Sequence, residues 1–179
     1  DDLTQFDPRE KIIEYRIGEK FGLLASMKLH EFSDELSSER PAPGGGSVSA
    51  VAGALGASLS SMVANLTFGK KKWMPLFNQM SKISQKSQNL KDELIQLIDA
   101  DTDAFNVVMK AYNMPKKTEN QIVDRNTAID SAMKEAANIP FKTLNCCRDI
   151  MDVVLEAAKY GNPNAISDAG VSGEMASAG

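Results

Sequence analysis

The feature that most constrains the fold is a stretch from Pro41 to Gly69 that carries no charged residue. It opens with PAPGGGS and continues with Ala, Gly, Ser and occasional large apolar side chains. This pattern predicts a loop over 41–46 and a long helix from about Ser47 to Thr67, with Ser47 as its N-cap. Because the small side chains allow close backbone contact and few polar groups need partners, we expect this helix to be buried among other helices.

A membrane span is the main alternative for this segment. Ser47 to Val63 is uncharged over 17 residues, near the lower limit for crossing a bilayer. Most of these residues are small, however, and gain little from transfer into lipid. The large apolar ones recur mostly at spacings of three and four, which places them on one stripe: Val48, Val51, Leu55, Leu59, Met62 and Val63. We therefore predict a core helix and no membrane span.

The rest of the chain also shows helical periodicity. Apolar residues recur with a period close to 3.6, and no window alternates as a strand with hairpin turns would. The predicted helices run from Leu23 to Leu36, Pro75 to Tyr112, Thr118 to Asn138 and Pro140 to Tyr160, with a last one ending at Gly179. Thr118 and Gln121 have capping-box spacing. The fold class is all-α, a bundle of four or five long antiparallel helices over 23–179, preceded by a short N-terminal tail.

Charge and cysteine content exclude several functions. The net charge of −4 and pI near 5.1 argue against nucleic acid as the main partner. One histidine and two cysteines do not make a structural zinc site, so no metal is expected. Adjacent Cys146 and Cys147 rarely pair with each other. Free thiols indicate a reducing compartment, and we predict a cytoplasmic protein.

One carboxylate lies on a face that should be buried. The apolar stripe of the second long helix includes Leu94, Leu97 and Phe105, and its spacing passes through Asp101. Asp99 and Asp103 fall on the other side and are predicted to be solvated. A carboxylate held on a buried face is costly and suits acid–base catalysis. The structural alternative is that Asp101 pairs with a buried Arg or caps a neighbouring helix.

The glycine turn is the second candidate site element. Gly44, Gly45 and Gly46 would let the backbone approach a ligand closely. The flanking residues Pro43 and Ser47 are substrate-binding candidates together with them. Free amides at the following helix N-terminus attract anionic or carbonyl oxygens. A Walker phosphate loop is excluded because no strand precedes and no lysine follows at the required spacing. A flexible linker is the structural alternative.

Further polar candidates each have a structural alternative. A helix C-cap would explain Asn65, and solvation would explain the lysine run. Arg125 opens a helix, where a cation is disfavoured, so we expect a specific partner for it. Turn chemistry explains the asparagines and aspartate after Gly161. The candidates for substrate binding beyond the glycine turn are Asn65, Thr67, Lys70, Lys71, Arg125, Asn162 and Asp168.

Together these motifs resemble the formimidoyltetrahydrofolate cyclodeaminase family. The resemblance rests on PAPGGGSVSAVAGALGASLSSMVANLTFGKKK, LIDADTDAF, DRNTAI, AANIP and GNPNAISD, in the family's order over roughly 23–179. It implies an all-helical homodimer or higher homo-oligomer with folate in a groove along the subunits. It also implies ring closure of 5-formimidoyltetrahydrofolate to 5,10-methenyltetrahydrofolate with release of ammonia, in histidine breakdown, with no cofactor beyond the tetrahydrofolate substrate.

The resemblance also assigns roles to residues. The family's proposed catalytic aspartate matches Asp101; the family calls it a nucleophile, and on physical grounds we prefer a general acid–base role. Lys70 and Lys71 could hold a polyglutamate tail. Residues 1–22 resemble the end of a formiminotransferase domain, which implies a two-domain parent protein. Family members continue past 179, so the domain is expected to be truncated there.

Two other functions remain open at this point. The first is a methenyltetrahydrofolate cyclohydrolase of the same fold, which short motifs do not separate from a cyclodeaminase. The transferase-like tail favours the cyclodeaminase. The second is a non-catalytic helical dimerisation module, which would bind no folate and would tolerate loss of the Asp101 carboxylate.

Overall fold

The computed structural model describes residues 21–68 and 71–179, and every regular element in these ranges is helical. The predicted all-α class is therefore confirmed. Most of the predicted tail, residues 1–20, lies outside the described ranges. The helices are α1 (Leu29–Leu36), α2 (Gly45–Phe68), α3 (Phe77–Tyr112), α4 (Glu119–Tyr160) and α5 (Ile166–Ala178), with short 3-10 helices at Lys71–Leu76 and Pro163–Ala165.

The uncharged helix α2 is the centre of the bundle and contacts α3, α4 and α5. It runs antiparallel to α3. The start of α2 is bonded to the later part of α3, with the Ser47 hydroxyl donating to the Ile98 carbonyl at 2.8 Å. The end of α2 is bonded to the earlier part of α3, with the Ser61 and Ser84 hydroxyls 3.1 Å apart.

Burial of α2 occurs through its small residues rather than its large ones. Its inward faces carry Ala50, Ala54, Ala57 and Ala64, all buried. Four large side chains face outward instead: Val48 is 37% exposed, Leu55 51%, Met62 37% and Leu66 44%. The expected burial of the apolar stripe is thus wrong for Val48, Leu55 and Met62. Small side chains occupy the inward positions because they allow three neighbouring helices to approach closely.

The helix Gly45–Thr67 is the one described helix that is long and apolar enough to cross a membrane. Within the bundle, 61% of its most apolar window is buried. Such burial is typical of a core helix, and α2 packs as one in this bundle.

The contact between α2 and α5 depends on Gly56. A Cβ placed on Gly56 would lie 2.9 Å from the Ser172 carbonyl oxygen and 3.2 Å from the Ala176 backbone nitrogen. Neither backbone atom can rotate away. The Ser172 hydroxyl also donates to the Gly56 carbonyl at 2.6 Å, which fixes the close approach.

We therefore expect Gly56→Ala to lower the free energy of unfolding by about 1–3 kcal/mol, because the added methyl must push two helices apart. The matched control is Gly170→Ala on α5, where a Cβ would meet nothing within 4 Å. That change should stabilise by up to about 1 kcal/mol, since Ala is the better helix former. Urea unfolding of both variants measures the difference, and equal stability of the two would contradict the packing argument.

Two predicted helix starts are displaced. The first helix begins at Leu29 rather than Leu23, and turns occupy the intervening residues. The helix α2 begins at Gly45, so Ser47 lies in its first turn and is not the N-cap. The Gly44 carbonyl instead accepts from the Val48 amide at 3.1 Å.

The predicted break at Pro140 does not occur. A single helix, α4, continues through Pro140 from Glu119 to Tyr160. The predicted capping box is confirmed, because the Gln121 amide donates to the Thr118 hydroxyl at 3.3 Å and the Gln121 side chain accepts from the Thr118 amide at 3.3 Å. Proline removes one helical donor, and packing of α4 against α2, α3 and α5 outweighs that loss.

Both cysteines are free and buried in α4. Burial, together with the negative charge of nearby Glu93, raises the pKa of the Cys146 thiol to about 12. Burial also raises the pKa of Cys147. Both thiols are therefore protonated near neutral pH and act as small apolar core residues.

Candidate active site

The structure brings Asp101 against the glycine turn. A Cβ placed on Gly46 would collide with all three atoms of the Asp101 carboxyl group. The carboxylate thus occupies space that only glycine leaves open, at the first turn of α2. Asp101 is half-buried, rather than fully buried as its stripe position suggests. Among the described residues its carboxylate has no hydrogen-bond or ion-pair partner. Within this part of the chain Asp101 therefore neither pairs with a buried Arg nor caps a neighbouring helix.

A pair of hydroxyl groups, one buried and one half-buried, fixes the position of α3 at this point. Ser47 is fully buried, and its hydroxyl donates to the Ile98 carbonyl. The Thr102 hydroxyl lies 3.4 Å from the Ser47 hydroxyl and donates to it, since the Ser47 hydrogen is already used. Thr102 is adjacent to Asp101, so this pair holds the catalytic candidate in register with α2. Thr102 is not among the residues predicted from the sequence, although its position next to Asp101 could have indicated a role at the site.

The first turn of α2 offers donors beside this carboxylate. The leading amides of any helix lack intrahelical partners. Gly45 is exposed, and Gly44 and Gly46 are half-buried, so the backbone here is accessible to a ligand. Pro43, which follows a cis peptide bond and directly precedes the glycines, is buried.

The two aspartates that flank Asp101 differ from each other. Asp103 is exposed, as predicted. Asp99 is half-buried, so the prediction that it is solvated is wrong. Its carboxylate accepts from the Leu24 amide at 2.8 Å and the Ala25 amide at 3.0 Å. Asp99 therefore anchors the turn that precedes α1, a long-range role that spacing does not reveal.

Other predicted site residues lie at the far end of α2. Thr67 is fully buried, and its hydroxyl donates to the Val63 carbonyl at 2.7 Å while accepting from the Asn162 amide at 2.8 Å. Asn162 is also buried, and its side chain caps the Asn164 amide at 3.1 Å. These contacts join the end of α2 to the α4–α5 turn. Both side chains support the fold here, and a folate contact for either one stays a prediction.

Thr67→Val should lower the free energy of unfolding by about 1–3 kcal/mol, because the buried Asn162 amide loses its acceptor. Thr127→Val is the matched control, since the Thr127 hydroxyl bonds only its own helix at an exposed position. Thermal or urea unfolding should show little change for the control. Equal effects of the two substitutions would contradict a structural role for the Thr67–Asn162 hydrogen bond.

The remaining candidates at this end are more accessible. Asn65 is exposed within α2 rather than at its C-cap, and its side-chain oxygen accepts from the Ser84 hydroxyl at 2.8 Å. Lys71 is exposed, and Lys70 lies outside the described residues. Asp168 is half-buried in the first turn of α5, where a negative charge is favourable.

Arg125 has the specific partner that its position predicts. Its guanidinium donates to the Tyr112 carbonyl at 3.3 and 3.1 Å and lies 5.6 Å from the centre of the Tyr112 ring. The cation thus caps the negative C-terminal end of α3. In this structure Arg125 stabilises the α3–α4 connection.

Apart from Arg125, which lies at the α3–α4 connection, the predicted site residues that the structure describes fall into two groups within one chain. Pro43, Gly44–Ser47 and Asp101 meet at the start of α2, whereas Asn65, Thr67, Asn162 and Asp168 lie near its end. At 1.5 Å per residue, Gly46 and Thr67 are roughly 30 Å apart along α2. Fold and site together define an all-helical protein whose glycine-lined helix start holds an accessible carboxylate, which is an arrangement suited to proton transfer.

Comparisons with known proteins identify the family. A sequence profile described as formiminotransferase-cyclodeaminase matches residues 28–179. The chain therefore belongs to the formiminotransferase-cyclodeaminase family, whose enzymes act in folate one-carbon metabolism, and the resemblance noted in the sequence is confirmed. A crystal structure of formiminotetrahydrofolate cyclodeaminase from Thermotoga maritima superposes with a TM-score of 0.74 at 32% identity, covering 86% of this chain and 72% of that one.

Curated relatives carry two different activities. Methenyltetrahydrofolate cyclohydrolase of Methylorubrum extorquens is 41% identical over 151 residues, which is 84% of this chain and 73% of that protein. Formimidoyltransferase-cyclodeaminase of Dictyostelium discoideum is 40% identical over 166 residues, 91% of this chain but only 30% of that protein. The chicken protein of the same name aligns over 177 residues, 98% of this chain and 33% of its own length, at 33% identity.

Proposed function

We propose that this chain is a cyclodeaminase domain that converts 5-formimidoyltetrahydrofolate to 5,10-methenyltetrahydrofolate and ammonia. The observation that carries catalysis is the Asp101 carboxylate, held against Gly46 at the start of α2 with no competing partner among the described residues. The choice of the formimidoyl substrate is supported separately, by the alignments with bifunctional relatives. A carboxylate in this position is free to exchange protons with a bound substrate.

One carboxylate can serve both halves of this reaction. The folate N10 attacks the carbon of the protonated formimidoyl group, and Asp101 accepts the N10 proton as the new C–N10 bond forms. Asp101 then donates that proton to the amino group of the tetrahedral intermediate. The C–NH₂ bond breaks, ammonia leaves, and the single positive charge stays on the methenyl bridge. The carboxylate ends ionised, as it began, so no other proton carrier is required.

The glycine turn has a separate role in this proposal. The unpaired amides at the start of α2 would donate to a carbonyl or anionic oxygen of the folate. Without side chains at 44–46, the ligand can approach this backbone and the Asp101 carboxylate together. Thr102 and Ser47 would position the carboxylate without touching the substrate.

Alignment with the bifunctional relatives favours the cyclodeaminase. The chicken formimidoyltransferase-cyclodeaminase aligns over 98% of this chain and so includes residues that precede the profile match at residue 28. The alignment with the cyclohydrolase covers 84%. This difference supports a parent protein in which a formiminotransferase domain precedes residue 23 and histidine breakdown supplies the substrate.

The second candidate is a methenyltetrahydrofolate cyclohydrolase, favoured by 41% identity to the Methylorubrum extorquens enzyme. In that reaction water adds to the methenyl carbon, and Asp101 would take one water proton and return it to the departing ring nitrogen. The remaining hydroxyl proton is released to solvent as the carbonyl of the formyl product forms. The same carboxylate serves both reactions, so the geometry at Asp101 favours neither.

The test measures both reactions on the purified chain. With 5-formimidoyltetrahydrofolate we expect near-ultraviolet absorbance from the methenyl product and one ammonia per turnover. Hydrolysis of the methenyl compound without any turnover of the formimidoyl substrate would assign the cyclohydrolase. Neither reaction, together with no folate binding by calorimetry, would assign a non-catalytic dimerisation module.

We propose a homodimer in the cytoplasm that needs no cofactor beyond tetrahydrofolate. Lys70 and Lys71 would bind a folate polyglutamate tail, because flexible ammonium groups suit a chain of carboxylates. Calorimetric titration should show tighter binding of polyglutamylated than monoglutamylated folate, and Lys71→Ala should reduce that preference.

A further inference from the structure

A small cavity lies between the early part of α3 and the late part of α4. Its volume is about 170 Å³, and we call it the α3–α4 cavity. It shares no residue with the candidate active site. Lys86, the lining residue of α3 that is nearest to Asp101 along the chain, is roughly 22 Å from it along the helix axis.

The α3–α4 cavity has an apolar floor between two walls of opposite charge. Ile83 and Val153, both buried, form the floor. The charged lining residues are exposed, two lysines on α3 and two acids on α4: Lys82, Lys86, Asp152 and Glu156. Each pair is spaced by four residues, so both of its members lie on one face of their helix. One wall therefore carries two ammonium groups and the other carries two carboxylates.

The charges of the two walls are not used within the described part of the chain. None of the four charged side chains forms a hydrogen bond or an ion pair with another described residue. Arg148, one turn before Asp152 on α4, is paired with Asp149 at 2.8 Å. The lysine wall and the acidic wall thus face each other without contact, and a ligand can bridge them.

We propose that the α3–α4 cavity binds a zwitterionic α-amino acid with an uncharged aliphatic side chain. The lysine wall would hold the carboxylate of the ligand, the acidic wall would hold its ammonium group, and the side chain would pack on Ile83 and Val153. A ligand with a single charge would be attracted to one wall and repelled by the other. A zwitterion is complementary to both walls at once.

The size of the cavity sets the size of the ligand. A cavity of roughly 150 Å³ holds a molecule the size of benzene, whereas sites for drug-sized ligands have about 300–1,000 Å³. At about 170 Å³ the α3–α4 cavity accommodates a single amino acid but not a folate. Its charged groups are exposed, and exposed ion pairs contribute little. We therefore expect dissociation constants in the millimolar range.

The first experiment is a titration followed by the backbone amide signals in nuclear magnetic resonance. The probe is L-leucine, and the controls are 3-methylbutylamine and 4-methylpentanoate, which keep its hydrocarbon part but lack one charged group. Leucine should shift the amide signals of Ile83 and Val153 and should bind at least about tenfold more tightly than either control. Equal affinity of the three compounds, no shift at about 50 mM leucine, or shifts centred elsewhere in the chain would overturn the proposal.

The second experiment reverses the charge of the walls. Lys82→Glu/Lys86→Glu makes both walls acidic and should weaken leucine binding by at least about tenfold, while 3-methylbutylamine becomes the preferred ligand. Adding Asp152→Lys/Glu156→Lys restores two opposite walls in reversed order. This fourfold variant should recover leucine binding to within about threefold of wild type, because the ligand can bind in the reversed direction.

Lys116→Glu/Lys117→Glu is the matched control, since it makes the same charge change at exposed positions in the α3–α4 connection. It should leave leucine binding unchanged. Equal loss in this control, or a folded fourfold variant without recovery, would overturn the proposal. If the fourfold variant does not fold, the switch of Lys82→Glu/Lys86→Glu from leucine to 3-methylbutylamine decides the question. Neither experiment measures folate turnover, so failure here leaves the proposed function standing.

Discussion

Asp101→Asn is expected to lower kcat for methenyltetrahydrofolate formation by roughly 10²- to 10⁴-fold, the usual worth of a general acid–base group. The carboxamide has nearly the same shape but does not accept and return a proton at neutral pH. KM should change little, because the substitution removes proton transfer rather than binding. The fold should be unaffected, since the Asp101 carboxylate makes no hydrogen bond to any residue that the structure describes.

The control for this prediction is Asp103→Asn, two residues away and exposed. It makes the same charge change on the same helix and should alter kcat by no more than about twofold, because exposed charges are screened. Initial rates from methenyl absorbance measure both variants, and unfolding curves check their stability. Normal turnover by Asp101→Asn would remove Asp101 from the mechanism.

Gly46→Ala is expected to reduce kcat by about 10²-fold, because a displacement near 1 Å of a catalytic group can cost that much. The new methyl would collide with the Asp101 carboxyl group, which must rotate or shift. Stability should stay level or rise slightly, since Ala is a better helix former than Gly. Loss of activity without loss of stability is the signature that separates this effect from misfolding.

Gly170→Ala is again the control, since it makes the same substitution in open space on α5. It should keep wild-type kcat and gain stability. Steady-state kinetics and urea unfolding of both variants measure the two effects together. Full activity of Gly46→Ala would mean that the carboxylate position against this glycine has no catalytic role.

Much of the fold could be predicted from the sequence, and the sequence also singled out Asp101 as the candidate around which the proposed site is built. Helical periodicity gave the all-α class, and the Thr118–Gln121 pair marked the start of α4. The stripe of α3 isolated Asp101, and the resemblance pointed to the same residue. Boundaries were less accurate: Pro140 was expected to interrupt a helix, but the packed neighbours of α4 hold it continuous.

Several roles depended on contacts between residues far apart in the chain. Asp99 bonds amides 74 and 75 residues away, and Thr67 accepts from an amide 95 residues away. Periodicity describes one helix at a time, so it does not assign such partners. For the same reason it did not reveal that Thr102 and Ser47 meet beside Asp101.

The sequence by itself determined that α2 is uncharged, apolar and helical, and that glycines precede it. Only the tertiary structure decided which face of α2 is inside, because both the alanine faces and the Val48–Leu55–Met62 row could be buried by a helix of this composition. Three neighbouring helices approach closely only over small side chains, so the alanines face inward and the large side chains face out. The same packing of α2 brings Gly46 against Asp101. This contact requires glycine, because a side chain at residue 46 would occupy the space of the Asp101 carboxyl group.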